Sequence, residues 1–138
     1  MNKNKTIFIL SLFTALGTTI YWILVFSGTF IINEVVDGYT TWFYSFPLAD
    51  SWIIFTSAML AYSIKKEMPK DSFVWGLLTA SSMIFLALNG FLFGINTGML
   101  FIMTIDEIIE ISIKVYCLSV GGYFIYHFRN ELQISNKS

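Results

Sequence analysis

The sequence predicts an all-α protein built as an antiparallel bundle of four transmembrane helices, with both termini in the cytoplasm. Three observations predict this architecture: the composition, the spacing of the apolar runs and the distribution of positive charge. Of the 138 residues, 56% are hydrophobic and only 12% are charged, whereas soluble domains carry about 45–50% apolar and about 25% charged residues. So little charge leaves too little polar surface for a water-soluble globule, and disorder requires the opposite composition.

Four apolar runs each approach the roughly 20 residues that a helix needs to cross a bilayer. They predict spans at about residues 6–27, 47–65, 72–94 and 104–128 of a single integral membrane domain, residues 1–138. The first run follows Lys3 and Lys5, as a signal peptide would, but it exceeds the roughly 7–15 apolar residues of a signal peptide. We therefore expect this run to be retained as a span.

Helix-capping and turn-forming residues set the ends of the spans. Pro47 suits the first turn of the second helix, where its missing N–H costs nothing. Asp71 or Ser72 is the expected N-cap of the third helix, and the segment 94–98 (GINTG) marks the turn after it. The longest connection, residues 28–46, is rich in aromatic residues, which favour the lipid–water boundary. We therefore expect that connection to lie on the membrane surface.

Positive charge is confined to one side of this topology. Seven of the eight Lys and Arg residues lie in the N-terminus, in the loop between the second and third spans or in the C-terminus: Lys3, Lys5, Lys65, Lys66, Lys70, Arg129 and Lys137. Since the positive-inside rule makes that side cytoplasmic, the chain is expected to be a multi-pass protein of the cell membrane with both termini inside.

The composition also excludes several function classes. A formal net charge of −1 argues against nucleic acid as a partner. The single cysteine, Cys117, and the absence of a C-x-x-C motif exclude a disulfide-forming enzyme. The single histidine, His127, excludes a bis-histidine haem within one chain, and no acidic loop has the spacing of a calcium site. We therefore expect no cofactor, no metal and no catalytic residue.

Polar residues within the spans mark the candidate site, because charged groups in a span are costly and usually face protein or water. Asp50 and Asn89 lie about one turn below the outer ends of the second and third spans. Glu110 and Lys114 lie roughly 9 and 15 Å deep in the fourth span, at the i, i+4 spacing that favours an ion pair. These four residues are predicted to line an outward-facing polar pocket.

Four more acidic residues are expected at the rim of this pocket: Glu34, Asp37, Asp106 and Glu107. Together the acids would attract a cation, so the sequence favours a protein that binds or transports a small cationic solute. The same polar residues would also serve as packing contacts that fix the helix register without any ligand.

The alternative function is a non-catalytic accessory, sensor or immunity-type protein that acts through helix–helix contacts. A stripe of small residues on the third span favours it, because small residues permit close helix approach: Gly76, Ala80, Ala87, Gly90 and Gly94. An enzyme ranks third. Four spans enclose little volume, so transport would require a dimer. The expected partners are the lipid bilayer and a second copy or another membrane protein.

The segment 46–52 (FPLADSW) resembles a group of small, uncharacterised multi-pass membrane proteins from Bacillus-type genomes, which share an F-P-L-A-D-x-W motif. The resemblance extends to a G-x-N-x-G-like turn at residues 94–98 and to an acid that matches Glu110, and it covers most of the chain. It implies an integral membrane location and no particular activity. Small multidrug-resistance exporters share the length and four spans, but the acidic residue of their first span has no counterpart here.

Overall fold

A computed structural model describes residues 3–102 and 104–135, without the side chains of Lys3, Asp106 and residues 131–135. This part of the chain is 83% helix and contains no strand, which confirms the prediction of an all-α protein. The elements are α1 (Lys3–Phe26), α2 (Tyr39–Phe43), α3 (Pro47–Lys65), α4 (Pro69–Thr97), a 3-10 turn (Met99–Phe101) and α5 (Ile105–Ser135).

Three helices in the described part of the chain are long and apolar enough to cross a membrane. Their candidate spans are Asn4–Phe26 in α1, Pro69–Thr97 in α4 and Glu107–Asn130 in α5. Helix α3 has 19 residues, about 28 Å at the helical rise, but Asp50 and several serine and threonine residues lower its hydropathy. Length alone would therefore allow α3 to cross a bilayer.

Each long helix packs on the next one along the chain: α1 on α3, α3 on α4 and α4 on α5. A buried apolar cluster of these helices includes the fully buried Leu60, Met83 and Phe124. Between α4 and α5 the contacts run in opposite directions, since Gly76 lies against Phe128 and Gly90 against Lys114.

The helix ends differ from the predicted ends at α4. The helix begins at Pro69, because proline is compatible with the first helical turn, and it continues to Thr97. Gly94 lies inside the helix, where its missing Cβ leaves room for Leu100 of the 3-10 turn. Only Gly98, with φ of 73°, adopts the left-handed conformation that ends the helix.

The small residues of α4 are used within the chain. A Cβ added at Gly76 would lie 1.9 Å from a ring carbon of Phe128, and one added at Gly90 would lie 3.0 Å from Cε of Lys114. Ala80 and Ala87 are completely buried. The stripe that favoured contact with another membrane protein therefore packs inside the protein itself.

Residues 28–46, which we call the cap, close one end of the helices. Gly38, with φ of 81°, precedes the short helix α2, whose Tyr39 and Phe43 are buried in a cluster with Trp22. The ring of Trp42 stacks on Phe93 of α4 at a centroid distance of 3.9 Å. Several rings of the cap therefore pack against protein, which differs from the expectation of a loop that simply lies on the membrane surface. We call this end of the molecule the cap end.

Candidate functional site

Helix α5 carries a cluster of three charged side chains near the cap end, of which Glu107 and Lys114 are buried and Glu110 is partly buried. The Nζ atom of Lys114 lies 3.1 Å from Oε2 of Glu110 and 3.6 Å from Oε1 of Glu107. The spacings i−4 and i−7 place both acids on the face of Lys114, so one ammonium group serves two carboxylates. The predicted ion pair between Glu110 and Lys114 is present, and Glu107 extends it.

Glu107 is the most deeply buried acid of this cluster. It is 3% exposed, and neither carboxylate oxygen has a hydrogen-bond partner among the described residues. Its backbone N–H donates to the Thr104 hydroxyl at 3.3 Å, so it lies in the first turn of α5, where the helix dipole favours a negative charge. Although the sequence suggested a place at the rim, the structure buries Glu107 beside Lys114.

Glu110 joins this cluster to the cap. The Tyr39 hydroxyl donates a hydrogen bond to Oε1 of Glu110, while Oε2 accepts one from Lys114. Because Tyr39 is buried in the cap, this hydrogen bond ties the cap to the charged cluster on α5.

Asp50 lies in the first turn of α3 and is buried. The indole Nε1–H of Trp22 in α1 donates to its Oδ2 at 2.7 Å. Trp22 therefore ties the first helix to the acid of α3.

A cavity of about 80 Å³, which we call the chamber, lies between Asp50 and the cluster on α5. Asp50, Glu110 and Lys114 line it, together with five aromatic residues: Tyr21, Trp22, Trp42, Phe43 and Phe46. One water needs roughly 10–15 Å³ of such space, so the chamber has room for several waters or for a small solute. A smaller cavity of about 30 Å³ lies under the cap, next to Glu107, Glu110 and Tyr39.

The other predicted site residues lie elsewhere. Asn89 is exposed and lines a different groove, of about 470 Å³, with Trp52 and Phe85. It is not among the residues that line the chamber, because α4 turns the adjacent Gly90 toward Lys114. The prediction that placed Asn89 with the other three residues rested on depth alone, and a shared depth does not imply a shared helix face.

The rim acids of the cap have a local role. The exposed carboxylate of Glu34 accepts hydrogen bonds from the Thr40 hydroxyl and from the backbone N–H groups of Thr40 and Gly38. The Thr40 hydroxyl, followed by its backbone N–H, lowers the pKa of Glu34 below the usual 4.5. Asp37 is exposed, and the side chain of Asp106 lies outside the described residues. Glu34 therefore serves to anchor the start of α2.

Sequence reasoning missed two residues that hold the acids, Trp22 and Tyr39. An amphipathic tryptophan inside a span usually finds a hydrogen-bond partner when it is buried, so a polar partner for Trp22 could have been predicted from the sequence. The contact of Tyr39 with Glu110 could not have been predicted from the sequence, because it depends on how the cap folds back. Among the residues with described side chains, no group of three or more His, Cys, Asp or Glu is placed to hold a metal ion.

Comparison of the chain with protein-family models, with curated proteins and with solved structures found no match. The resemblance at residues 46–52 stays a prediction. The structure adds one reason for that segment's composition, since it brings Phe46 and Asp50 to the same chamber.

Proposed function

We propose that the chain is an integral protein of the cell membrane with four antiparallel spans, α1, α3, α4 and α5. Support for α3 as a span comes from its reversed polarity. It buries Asp50, Thr56 and Ser57 and exposes Leu48 and Phe55, at 82% and 48%. A helix in water does the opposite, whereas in lipid the exposed face is apolar and polar groups face protein.

Charge supports the proposed orientation, with both termini and the turn between α3 and α4 in the cytoplasm. Lys65 lies in the last turn of α3, and Lys66 and Lys70 follow it around the turn into α4. Arg129 lies near the end of α5. The cap carries acids and no lysine or arginine, which agrees with an outer location under the positive-inside rule.

A cysteine-labelling experiment tests this topology. In a Cys117→Ala background, Asn33→Cys in the cap is expected to react with a membrane-impermeant maleimide in intact cells. Lys5→Cys and Lys66→Cys are expected to react only after permeabilisation, because both lie on the cytoplasmic side. All three native residues are exposed, so burial does not limit labelling. If Asn33→Cys and Lys66→Cys label from the same side, α3 does not cross the membrane.

We further propose that the protein binds a small cationic solute in the chamber. The observation that carries this proposal is the charge balance around it. Two buried carboxyl groups, those of Asp50 and Glu107, and the partly buried one of Glu110 stand against one ammonium group, that of Lys114. Uncompensated negative charge is costly in a low-dielectric interior, so the cluster favours a bound cation or proton.

Two features favour a ligand over packing contacts alone. Residues that only fix helix register would be satisfied by one another, yet neither oxygen of Glu107 has a hydrogen-bond partner in the described structure, although Lys114 lies 3.6 Å from one of them. The chamber also leaves about 80 Å³ beside Asp50 and Glu110. The alternative role through helix contacts has lost its main support, since the small residues of α4 pack within the chain, with Gly76 and Gly90 against α5 and Gly94 against Leu100.

Ligand-induced stabilisation tests the proposed binding. Protein in phosphatidylcholine nanodiscs would be melted with sodium, potassium, methylammonium or tetramethylammonium chloride at constant ionic strength. At 100 times its dissociation constant, a bound cation is expected to stabilise the protein by about 2.7 kcal/mol. Asp50→Asn is expected to lose that response, because the chamber loses one negative charge.

Asp37→Asn is the matched control, because it removes an exposed acid outside the chamber and is expected to respond like the wild type. The proposal is wrong if none of the four cations stabilises the wild type more than Asp50→Asn. Transport across the whole membrane would require a second copy of the chain, whereas the proposed binding does not.

A further inference from the structure

A large groove lies between α1 and α5, and the proposed binding in the chamber gives it no role. It has a cavity volume of about 470 Å³, and Phe13, Gly17 and Thr18 of α1 face Ile109, Ile113 and Tyr116 of α5 across it. We call it the lateral groove. Both helices are long and apolar enough to cross a membrane, so this groove lies at the depth of the lipid chains in the proposed topology.

A hydrogen bond bridges the two helices within this region. The Thr14 hydroxyl and the Tyr116 hydroxyl lie 2.8 Å apart, while α1 packs closely on α3 and α5 packs closely on α4. Gly17 contributes to the opening, because a Cβ added there would meet no atom within 4 Å. The groove is therefore a gap between α1 and α5. These two helices are held in place mainly by their packing on α3 and α4.

Asp50 is the only charged residue among the described side chains that line the lateral groove. It also lines the chamber, so its carboxylate stands where an apolar cavity meets a smaller aromatic and acidic one. Tyr21, Leu86 and Ile113 line both cavities as well. The two cavities are thus neighbours on either side of Asp50.

We infer that the solute is an amphipathic organic cation, whose ammonium centre binds at Asp50 and whose apolar body fills the lateral groove. A neutral lipid chain would gain nothing from a buried carboxylate, and an inorganic cation would leave about 470 Å³ of groove unused. On the chamber side the aromatic rings of Trp22 and Phe43 adjoin Asp50, and aromatic faces attract quaternary ammonium groups.

The inference includes a route, because the lateral groove lies between two membrane-spanning helices. Under the cap, the cavity that adjoins Glu107 has a volume of about 30 Å³, the space of about two or three waters. An amphipathic cation that has partitioned into the outer leaflet reaches Asp50 through the groove without passing the cap. This inference rests on the proposed cation binding and adds the class and the path of the solute.

A series of tetraalkylammonium ions tests the inference, with isothermal titration calorimetry in phosphatidylcholine nanodiscs and empty nanodiscs as the blank. Charge is constant from tetramethyl- through tetraethyl- to tetrapropylammonium, while the apolar body grows. Each methylene that enters the groove is expected to tighten binding about fourfold. Affinity is therefore expected to rise roughly tenfold or more along the series.

Two leucine substitutions separate the groove from the chamber. Gly17→Leu fills the groove and is expected to weaken tetrapropylammonium binding by roughly tenfold or more, while tetramethylammonium binding stays as in the wild type. Gly122→Leu is the matched control, because it also has open space at its Cβ but does not line the groove. It is expected to bind both ions like the wild type.

The outcomes are distinct. If the small cations bind but affinity does not rise along the series, or Gly17→Leu binds tetrapropylammonium normally, this inference is overturned and the proposed cation binding stands. If tetrapropylammonium binding persists in Asp50→Asn, the groove is a purely apolar site and the inferred solute class is overturned. If no cation of either set binds, the proposed function fails and the inference fails with it.

Discussion

Lys114→Met is expected to destabilise the folded protein by about 3–5 kcal/mol, the cost of removing one partner of a buried ion pair. Lys114 is 7% exposed and contacts both Glu107 and Glu110. Methionine has a similar length and flexibility, so the loss of packing is small and the loss of charge dominates. The free energy of unfolding would be measured by titration with sodium dodecyl sulfate in mixed micelles.

A charge-neutral variant separates this electrostatic effect from packing. Lys114→Met combined with Glu107→Gln and Glu110→Gln removes the cation together with both anions, and it is expected to recover most of the lost stability. Buried ion pairs replaced as a whole are often neutral or even stabilising. Lys66→Met, at an exposed lysine, is the surface control and is expected to change stability by less than about 0.5 kcal/mol.

If Lys114→Met is as stable as the wild type, the fold does not depend on the ion pairs of Lys114 with Glu107 and Glu110. The charge imbalance would then no longer support cation binding. This single measurement therefore bears on the proposed function as well as on the fold. Glu107→Gln alone is expected to stabilise the folded protein. It removes the acid that has no hydrogen-bond partner and leaves Lys114 paired with Glu110.

Local patterns in the sequence predicted the parts of the site that depend on one helix. The pair Glu110 and Lys114 follows from i, i+4 spacing, which any α-helix satisfies. Asp50 follows from an acid within an apolar run, which must find protein or water. Both inferences require only the helical geometry and the cost of charge in lipid, so they hold before the tertiary structure is known.

The parts that depend on the rotation of a helix or on a folded loop were not predictable in this way. Asn89 shares the depth of Glu110, but its neighbour Gly90 faces α5 instead, and hydropathy on an apolar helix does not show which face is inward. The hydrogen bond from Tyr39 to Glu110 joins residues 71 positions apart. It forms only because the cap folds over the helix ends, which is a property of tertiary packing.

Two adjacent glycines of α5, Gly121 and Gly122, allow a matched test of the contact between α4 and α5. A Cβ added at Gly121 would lie 2.8 Å from Cγ1 of Ile84 and 3.0 Å from the backbone oxygen of Ala80, whereas one added at Gly122 would meet no atom within 4 Å. The Ala80 oxygen belongs to the helix backbone and cannot move without displacing α4. At Gly121 the backbone of α4 therefore lies so close to α5 that a Cβ has little room.

Gly121→Ala is accordingly expected to cost about 1–3 kcal/mol, as overpacking of a filled core does. Gly122→Ala is expected to be neutral or to gain about 0.5–1 kcal/mol, because alanine has less conformational freedom to lose in a helix than glycine. The same detergent titration measures both. Equal stability of the two variants would show that α4 and α5 do not pack through Gly121.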